Sequence, residues 1–160
     1  MKNMIISKEE IEAFKGINKT HFLNDNARRV NKSFGDISGI TGFGFHIIEV
    51  LPGFETTELH KHYHEDECVY ILEGQAEATI GDEKHTVQAG TFIGYPAGGE
   101  AHTLKNTGTD LLKCIVVGAR LAHDVGEYPR QNKRIFRNSG LPWNLVDIDS
   151  IDEPFAGKKV

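Results

Sequence analysis

Cysteine is scarce in this 160-residue chain: Cys68 and Cys114 are the only two, too few for a disulfide framework. No charged, apolar, small-residue leader opens the sequence, so a cytoplasmic location is expected. Long apolar runs are missing as well. The longest fall far short of the roughly 20 residues that a membrane span requires, which argues against a membrane protein. Basic charge is neither abundant nor broadly clustered. With a formal net charge of −5, the chain is a poor match to the Lys- and Arg-rich surfaces that bind nucleic acid. One segment differs. RLAHDVGEYPRQNKRIFR, from Arg120 to Arg137, holds five Arg or Lys residues against Asp124 and Glu127, and reads as a surface or subunit-contact arm, with an anion site as the lesser alternative.

What remains is the pattern of one small β-rich domain, 1–160, large enough to bury about two thirds of its unfolded surface. At the N-terminus, ISKEEIEAFKG predicts a short helix, with Ser7 and Glu10 forming a capping box and Gly16 placed to end it. The polar, Asn-rich stretch from Ile17 to Phe34 has weak periodicity. It is expected to be an extended arm with at most short strand pieces, and His21 within it a surface residue. Gly35, Gly39, Gly42 and Gly44 then punctuate a turn into FHIIEV, which stops at Pro52-Gly53.

Further along, QAEATI and EKHTV flank Gly81-Asp82 and predict a tight hairpin. FIGY, AHTLKN and LLKCIVVGARL follow as further short strands. Short strands at near-regular spacing, without long helical periods between them, indicate an all-β sandwich or barrel. The tail, 138–160, with Pro142 and Pro154, is expected to drape over that body, and Trp143 to anchor it or to make a plain surface contact.

The chemistry concentrates in HKHYHEDECVYILEG, from His60 to Gly74. Side chains along a strand repeat with period two, so His60 and His62 would project from one face, and Glu67 can join them across a short bend. A fourth candidate, His102, follows the Pro96, Gly98, Gly99 turn. Imidazole nitrogens with one carboxylate oxygen suit Zn, Fe, Mn, Ni or Cu. His64 continues the same face and reads as a spare. Val69, Ile71 and Leu104 should make the surrounding pocket apolar, whereas Cys68 should face away as packing. Glu100, two residues before His102, is the candidate general base, with a solvated loop carboxylate as the plainer reading. Tyr63 and Tyr95 can offer hydroxyls, and no Ser-His-Asp or Cys-His nucleophile can be built.

Together the two stretches resemble the paired motifs of the cupin superfamily. Gly53, His60, His62, Glu67 and Gly74 match the first motif; Gly90, Pro96, Gly98, His102 and Asn106 match the second. Two spacings depart. Six residues rather than five separate Gly53 from His60, and three rather than two separate Gly98 from His102, which lengthens the loops leading into both ligand strands. The resemblance, spanning about 30–137, implies a jelly-roll barrel flanked by an N-terminal helix and arm, 1–29, and the tail. It also implies a divalent Zn, Fe, Mn or Ni ion on His60, His62, Glu67 and His102, with Asn106 either supporting His102 or forming a turn. As for function, it implies a metal-dependent dioxygenase, decarboxylase or isomerase acting on a small oxygenated molecule, or a non-catalytic module that binds a sugar, small acid or metal. A homodimer is expected, because Tyr70 and Leu72 lie on the outward strand faces and open sheet edges need covering.

Overall fold

The computed structural model of the protein describes residues 4–157, so the outermost three residues of each expected terminal segment lie outside the described residues. Helix α1 (Lys8–Ala13) carries the expected capping box. Ser7 N–H donates to Glu10 Oε2 at 2.7 Å and Glu10 N–H donates to Ser7 Oγ at 3.2 Å. Gly16, however, does not end this helix, which stops at Ala13 with Phe14 already extended. Gly16 instead sits at φ +69°, where an added Cβ would lie 2.8 Å from the Asn31 carbonyl oxygen. The glycine lets the chain pass over its neighbouring strand.

The Asn-rich stretch is not an arm. It forms a hairpin, β1 (Ile17–His21) and β2 (Asn24–Ser33), paired in register from Ile17↔Asn31 to Thr20↔Arg28. Apolar alternation fails to mark it because its inner face is lined by polar side chains. Helix α2 (Phe34–Ser38), where a turn was expected, closes on Gly39 in the left-handed region. Then come β3 (Phe43–Val50), β4 (Lys61–His62), β5 (Glu67–Glu73), β6 (Gln75–Ile80) and β7 (Glu83–Gln88). The predicted Gly81-Asp82 hairpin joins β6 to β7, with Ile80 opposite Glu83.

Next are β8 (Phe92–Tyr95), β9 (His102–Asn106) and β10 (Leu112–Ala119). The basic segment, expected to be a surface or subunit-contact arm, folds as β11 (His123–Tyr128) and β12 (Lys133–Asn138), an antiparallel pair joined by a 3-10 turn over Pro129–Gln131. The tail adds β13 (Asn144–Asp147) to the edge of β12. Trp143 remains 63% exposed, with the Arg137 guanidinium over its ring at 5.4 Å.

Three sheets result, ordered β1-β2-β3-β10-β5-β8, β7-β6-β9 and β13-β12-β11-β4. The six-stranded and three-stranded sheets pack face to face. Ile48, Val50, Val69, Ile71, Leu112 and Cys114 from the former meet Ala76, Ala78 and Leu104 from the latter in one apolar cluster. This is the expected jelly-roll barrel. No helix among the described residues is long and apolar enough to cross a membrane.

Ile71 is fully buried at the centre of that cluster. Ile71→Ala is expected to lower unfolding stability by about 2–5 kcal/mol, read as a reduced urea midpoint with an unchanged slope.

Candidate metal centre

The segment 54–60 runs beside β9, fixed by Thr56 N–H to the Leu104 carbonyl at 2.8 Å. At its end His60 and His102 form a two-way bridge: His102 N–H donates to His60 O at 2.8 Å, and His60 N–H donates to His102 O at 3.2 Å. Their rings are thereby brought to 4.7 Å between centroids. Period-two alternation carries His62 to the same side, 5.0 Å from His60 ring to ring. Glu67 opens β5, directly opposite Tyr95 on β8. Tyr95 stacks flat on His102, at 3.6 Å and 4°.

The donor atoms of His60, His62 and Glu67 lie within 4.8 Å of one another, and His102 Nε2 lies 3.5 Å from Glu67 Oε1. All four predicted side chains are therefore brought together. His64 is not. It is exposed, and its backbone N–H donates to Asp124 Oδ1 at 3.1 Å.

The tautomers follow from the outer contacts. His60 Nδ1 faces the Glu58 carbonyl at 2.9 Å, His102 Nδ1 faces the Glu100 carbonyl at 3.2 Å, and His62 Nδ1 faces Asp124 Oδ2 at 2.7 Å. Carbonyl and carboxylate oxygens only accept, so each Nδ1 carries a proton, and in the neutral ring each Nε2 keeps its lone pair. His102 Nε2 is buried with no hydrogen-bond partner. Facing Glu67 Oε1, it presents one acceptor to another, an arrangement that a cation between them resolves. Burial pushes the His60 pKa down to about 3, which keeps that ring neutral. Burial acts against ionisation of Glu67 too, but the adjacent His102, His60 and His62 hold its carboxyl below the ordinary range. Neutral imidazoles beside an ionised carboxylate are the protonation states that a divalent ion requires.

A second network lies behind His62. Asp124, 2% exposed, also accepts from Arg137 at 2.6 Å, and Arg137 in turn holds Glu65, which accepts from Leu121 N–H at 2.8 Å. Sequence reasoning missed Asp124, although its period-two relation to Gly126 and the buried Tyr128 placed it on the inward face of a strand.

Other expectations shift. The Glu100 carboxylate lies on the exposed turn beside Gly81, where a Cβ would meet Oε2 at 3.2 Å, and it does not line the cavity next to the histidines. Glu100 instead serves the site through its backbone carbonyl. Asn106 makes no contact with His102. Its amide donates to the Val50 and Asp110 carbonyls at 2.8 and 2.9 Å and its Oδ1 accepts from Gly108, which is the turn-forming role. The Tyr63 hydroxyl is taken by Glu127 at 2.7 Å, whereas the buried Tyr95 hydroxyl has no partner and lines the cavity. His21 is no simple surface residue: it is half-buried, stacked on Phe22 and edge-on to Tyr128.

The cavity itself measures about 890 Å³ and reaches His60 and Glu67 at its base. Val69 and Leu104 give it an apolar wall as expected, but Ile71 is not part of that wall. Lys19, Arg29, His46 and Arg120 line it too, so the pocket is mixed rather than apolar.

Asp124→Asn removes a charge partner from Arg137 and an acceptor from His62. The expected cost is about 3 kcal/mol in chemical unfolding. Breaking the exposed Lys8–Glu12 pair with Glu12→Gln should cost less than about 0.5 kcal/mol.

Residues 46–118 match the Cupin domain family. The chain is similar to a protein of Acidithiobacillus ferrooxidans, named as a proposed sugar phosphate isomerase, with 43% identity, a TM-score of 0.92, and coverage of 96% of this chain and 97% of that one. A protein of Silicibacter pomeroyi, named as a sugar phosphate isomerase from a cupin superfamily, shares the fold at 20% identity and TM-score 0.77, over 88% of this chain and 92% of that one. Protein MJ1618 of Methanocaldococcus jannaschii is 38% identical over 66 residues, 41% of this chain, and the match spans about half (52%) of that relative's length. The barrel, the ligand strands on its inner face and these likenesses agree, and the chain belongs to the cupin superfamily.

Proposed function

We propose that the protein is a metal-dependent isomerase of a small phosphorylated sugar, working within one domain, with His60, His62, Glu67 and His102 holding a divalent Zn, Fe, Mn or Ni ion. The observation that carries this reading is the pair of opposed acceptors, His102 Nε2 and Glu67 Oε1, beside a cavity that Glu67 lines together with Lys19, Arg29 and Arg120. Likeness to the Acidithiobacillus protein along nearly the whole chain supports the choice of isomerisation among cupin chemistries. When bound, the ion supplies Lewis-acid polarisation of a substrate oxygen.

The chain's own residues do the rest. Nδ1 anchors on Glu58, Asp124 and Glu100 keep three imidazoles aimed inward. Val69, Leu104 and Val116 keep one wall dry, and burial raises the Tyr95 pKa, so its hydroxyl stays protonated and able to donate to a substrate oxygen. Aldose–ketose isomerisation moves hydrogen between adjacent carbons of one molecule, and the cavity volume is ample for one such molecule.

A cupin that binds without turnover is the second reading, favoured by one observation: both cavity carboxylates are engaged, Glu67 in the cluster and Glu65 by Arg137 and Leu121. Turnover separates the two. Metal-loaded protein given aldose phosphates in deuterated water should incorporate solvent deuterium and form the ketose, and both should vanish on chelation and in Glu67→Gln. Metal should also raise the melting temperature, contributing about 2.7 kcal/mol at a hundredfold excess over its dissociation constant. Identical melting of chelated and loaded samples refutes the site; loading without turnover leaves the binding module.

We also infer a homodimer. Tyr70 and Phe92 face each other across β5 and the edge strand β8, and are 42% and 65% exposed. Light scattering should give twice the 17.8 kDa monomer mass, and monomer mass at micromolar concentration would refute it.

A further inference from the structure

Four basic side chains line the cavity, and they divide into two kinds. Arg120 is neutralised by Asp36 at 2.7 Å, and Arg137 by Asp124 and Glu65. Among the described residues, Lys19 and Arg29 have no ion-pair partner. They stand directly opposite each other across β1 and β2. Like charges at opposed positions of an antiparallel pair repel, so the hairpin carries a local electrostatic cost on its cavity face.

Arg29 is also incompletely bonded. Its Nη1 donates to the Thr56 carbonyl, but Nε is buried with no partner. The Nε edge of a guanidinium is one side of the planar fork that matches a phosphate or carboxylate oxygen pair. Asn31 lies two residues further along the same face, and its amide nitrogen is 3.3 Å from His46 Nδ1. The positive charges of Arg120, Lys19 and Arg29 surround His46 and, with burial as the larger cause, lower its pKa. That ring is kept neutral inside a cationic ring of neighbours.

We propose that Arg29 and Lys19, with Asn31 and His46 beside them, form an oxyanion subsite that takes the phosphate of a phosphate monoester, while its oxygenated carbon end reaches the His60 and Glu67 side of the same cavity. This assignment deepens and rests on the sugar-phosphate reading given above. A bound dianion removes the Lys19–Arg29 repulsion, satisfies the orphaned Nε and fixes the substrate's direction. Arg29 and Lys19 are binding residues in this scheme, with no part in holding metal.

The test is calorimetric titration of inorganic phosphate into the full-length, metal-loaded protein. One phosphate per chain should bind, and Arg29→Gln should weaken it roughly tenfold or more. Lys19→Gln should weaken it by a smaller factor, and Arg130→Gln, at an exposed pair with Glu55 outside the cavity, should change nothing. Because Arg29 also holds the Thr56 carbonyl, Arg29→Lys serves where Arg29→Gln fails to fold: it keeps the charge, loses the fork, and should still weaken binding. Absence of phosphate binding by the wild type at millimolar concentration, or equal affinity in the Arg29 variants, overturns the subsite. Equal binding of acetate overturns the choice of phosphate over carboxylate. Arg29-dependent phosphate binding without isomerase turnover leaves the subsite standing and removes the isomerase. Turnover of a sugar phosphate with a Michaelis constant unchanged in Arg29→Gln does the reverse.

Discussion

Two acceptors facing each other across 3.5 Å, His102 Nε2 and Glu67 Oε1, are the constraint on which this barrel's interior depends. Neither atom can satisfy the other while His102 keeps its proton on Nδ1, and burial denies His102 Nε2 a water partner. Ordinary cores avoid such pairs, because a buried polar atom without a partner costs about 1–3 kcal/mol. Here the surrounding contacts enforce the conflict. Tyr95 lies flat on the His102 ring, the Glu100 carbonyl fixes its tautomer, and the mutual bridge to His60 fixes its backbone. A site held in this way is arranged for a cation.

The layer behind the donors explains why the third sheet exists. Strand β11 pairs in register with the two residues of β4, and β11 and β12 deliver Asp124 to His62 and Arg137 to Asp124. Arg137 then reaches Glu65, whose other oxygen accepts from Leu121 N–H. One half-buried guanidinium thus ties the ligand loop, β11 and β12 together. Taking those charges out of water is costly unless each is paired, and the pairing is complete. Part of the positive composition of this segment is therefore structural: Arg137 neutralises the inward Glu65 and Asp124, while Arg130 and Lys133 pair at the surface.

How much of this was legible in the sequence varies with what each residue faces. The four ligand candidates were readable because metal donors need particular side chains at particular strand offsets, and β3, β5, β6 and β10 were readable because apolar residues mark their core faces. Failures fall where the inner face is polar. The β1–β2 hairpin turns Lys19, Arg29 and Asn31 toward a cavity, so it carries no apolar stripe and reads as an arm. Asp124 was hidden for the same reason. Glu100 erred differently: strand proximity to His102 was correctly read, but the chain direction sends its carboxylate toward Gly81.

Charge balance links these misread elements to the candidate metal site. Glu67 and the neutral imidazoles supply one negative charge, so a divalent ion there leaves the cavity base positive. The cavity lining adds Lys19 and Arg29, which have no ion-pair partner among the described residues, while the two remaining arginines are neutralised by their own carboxylates. An uncharged ligand would leave both ends uncompensated in a partly dry pocket, where effective dielectric is low and like charges are felt strongly. An anionic one with an oxygen at its other end compensates both. The hairpin that lacks an apolar pattern and the His60–Glu67 cluster that carries a metal pattern thus line one cavity, and a single anionic, oxygenated ligand would answer the charge of both.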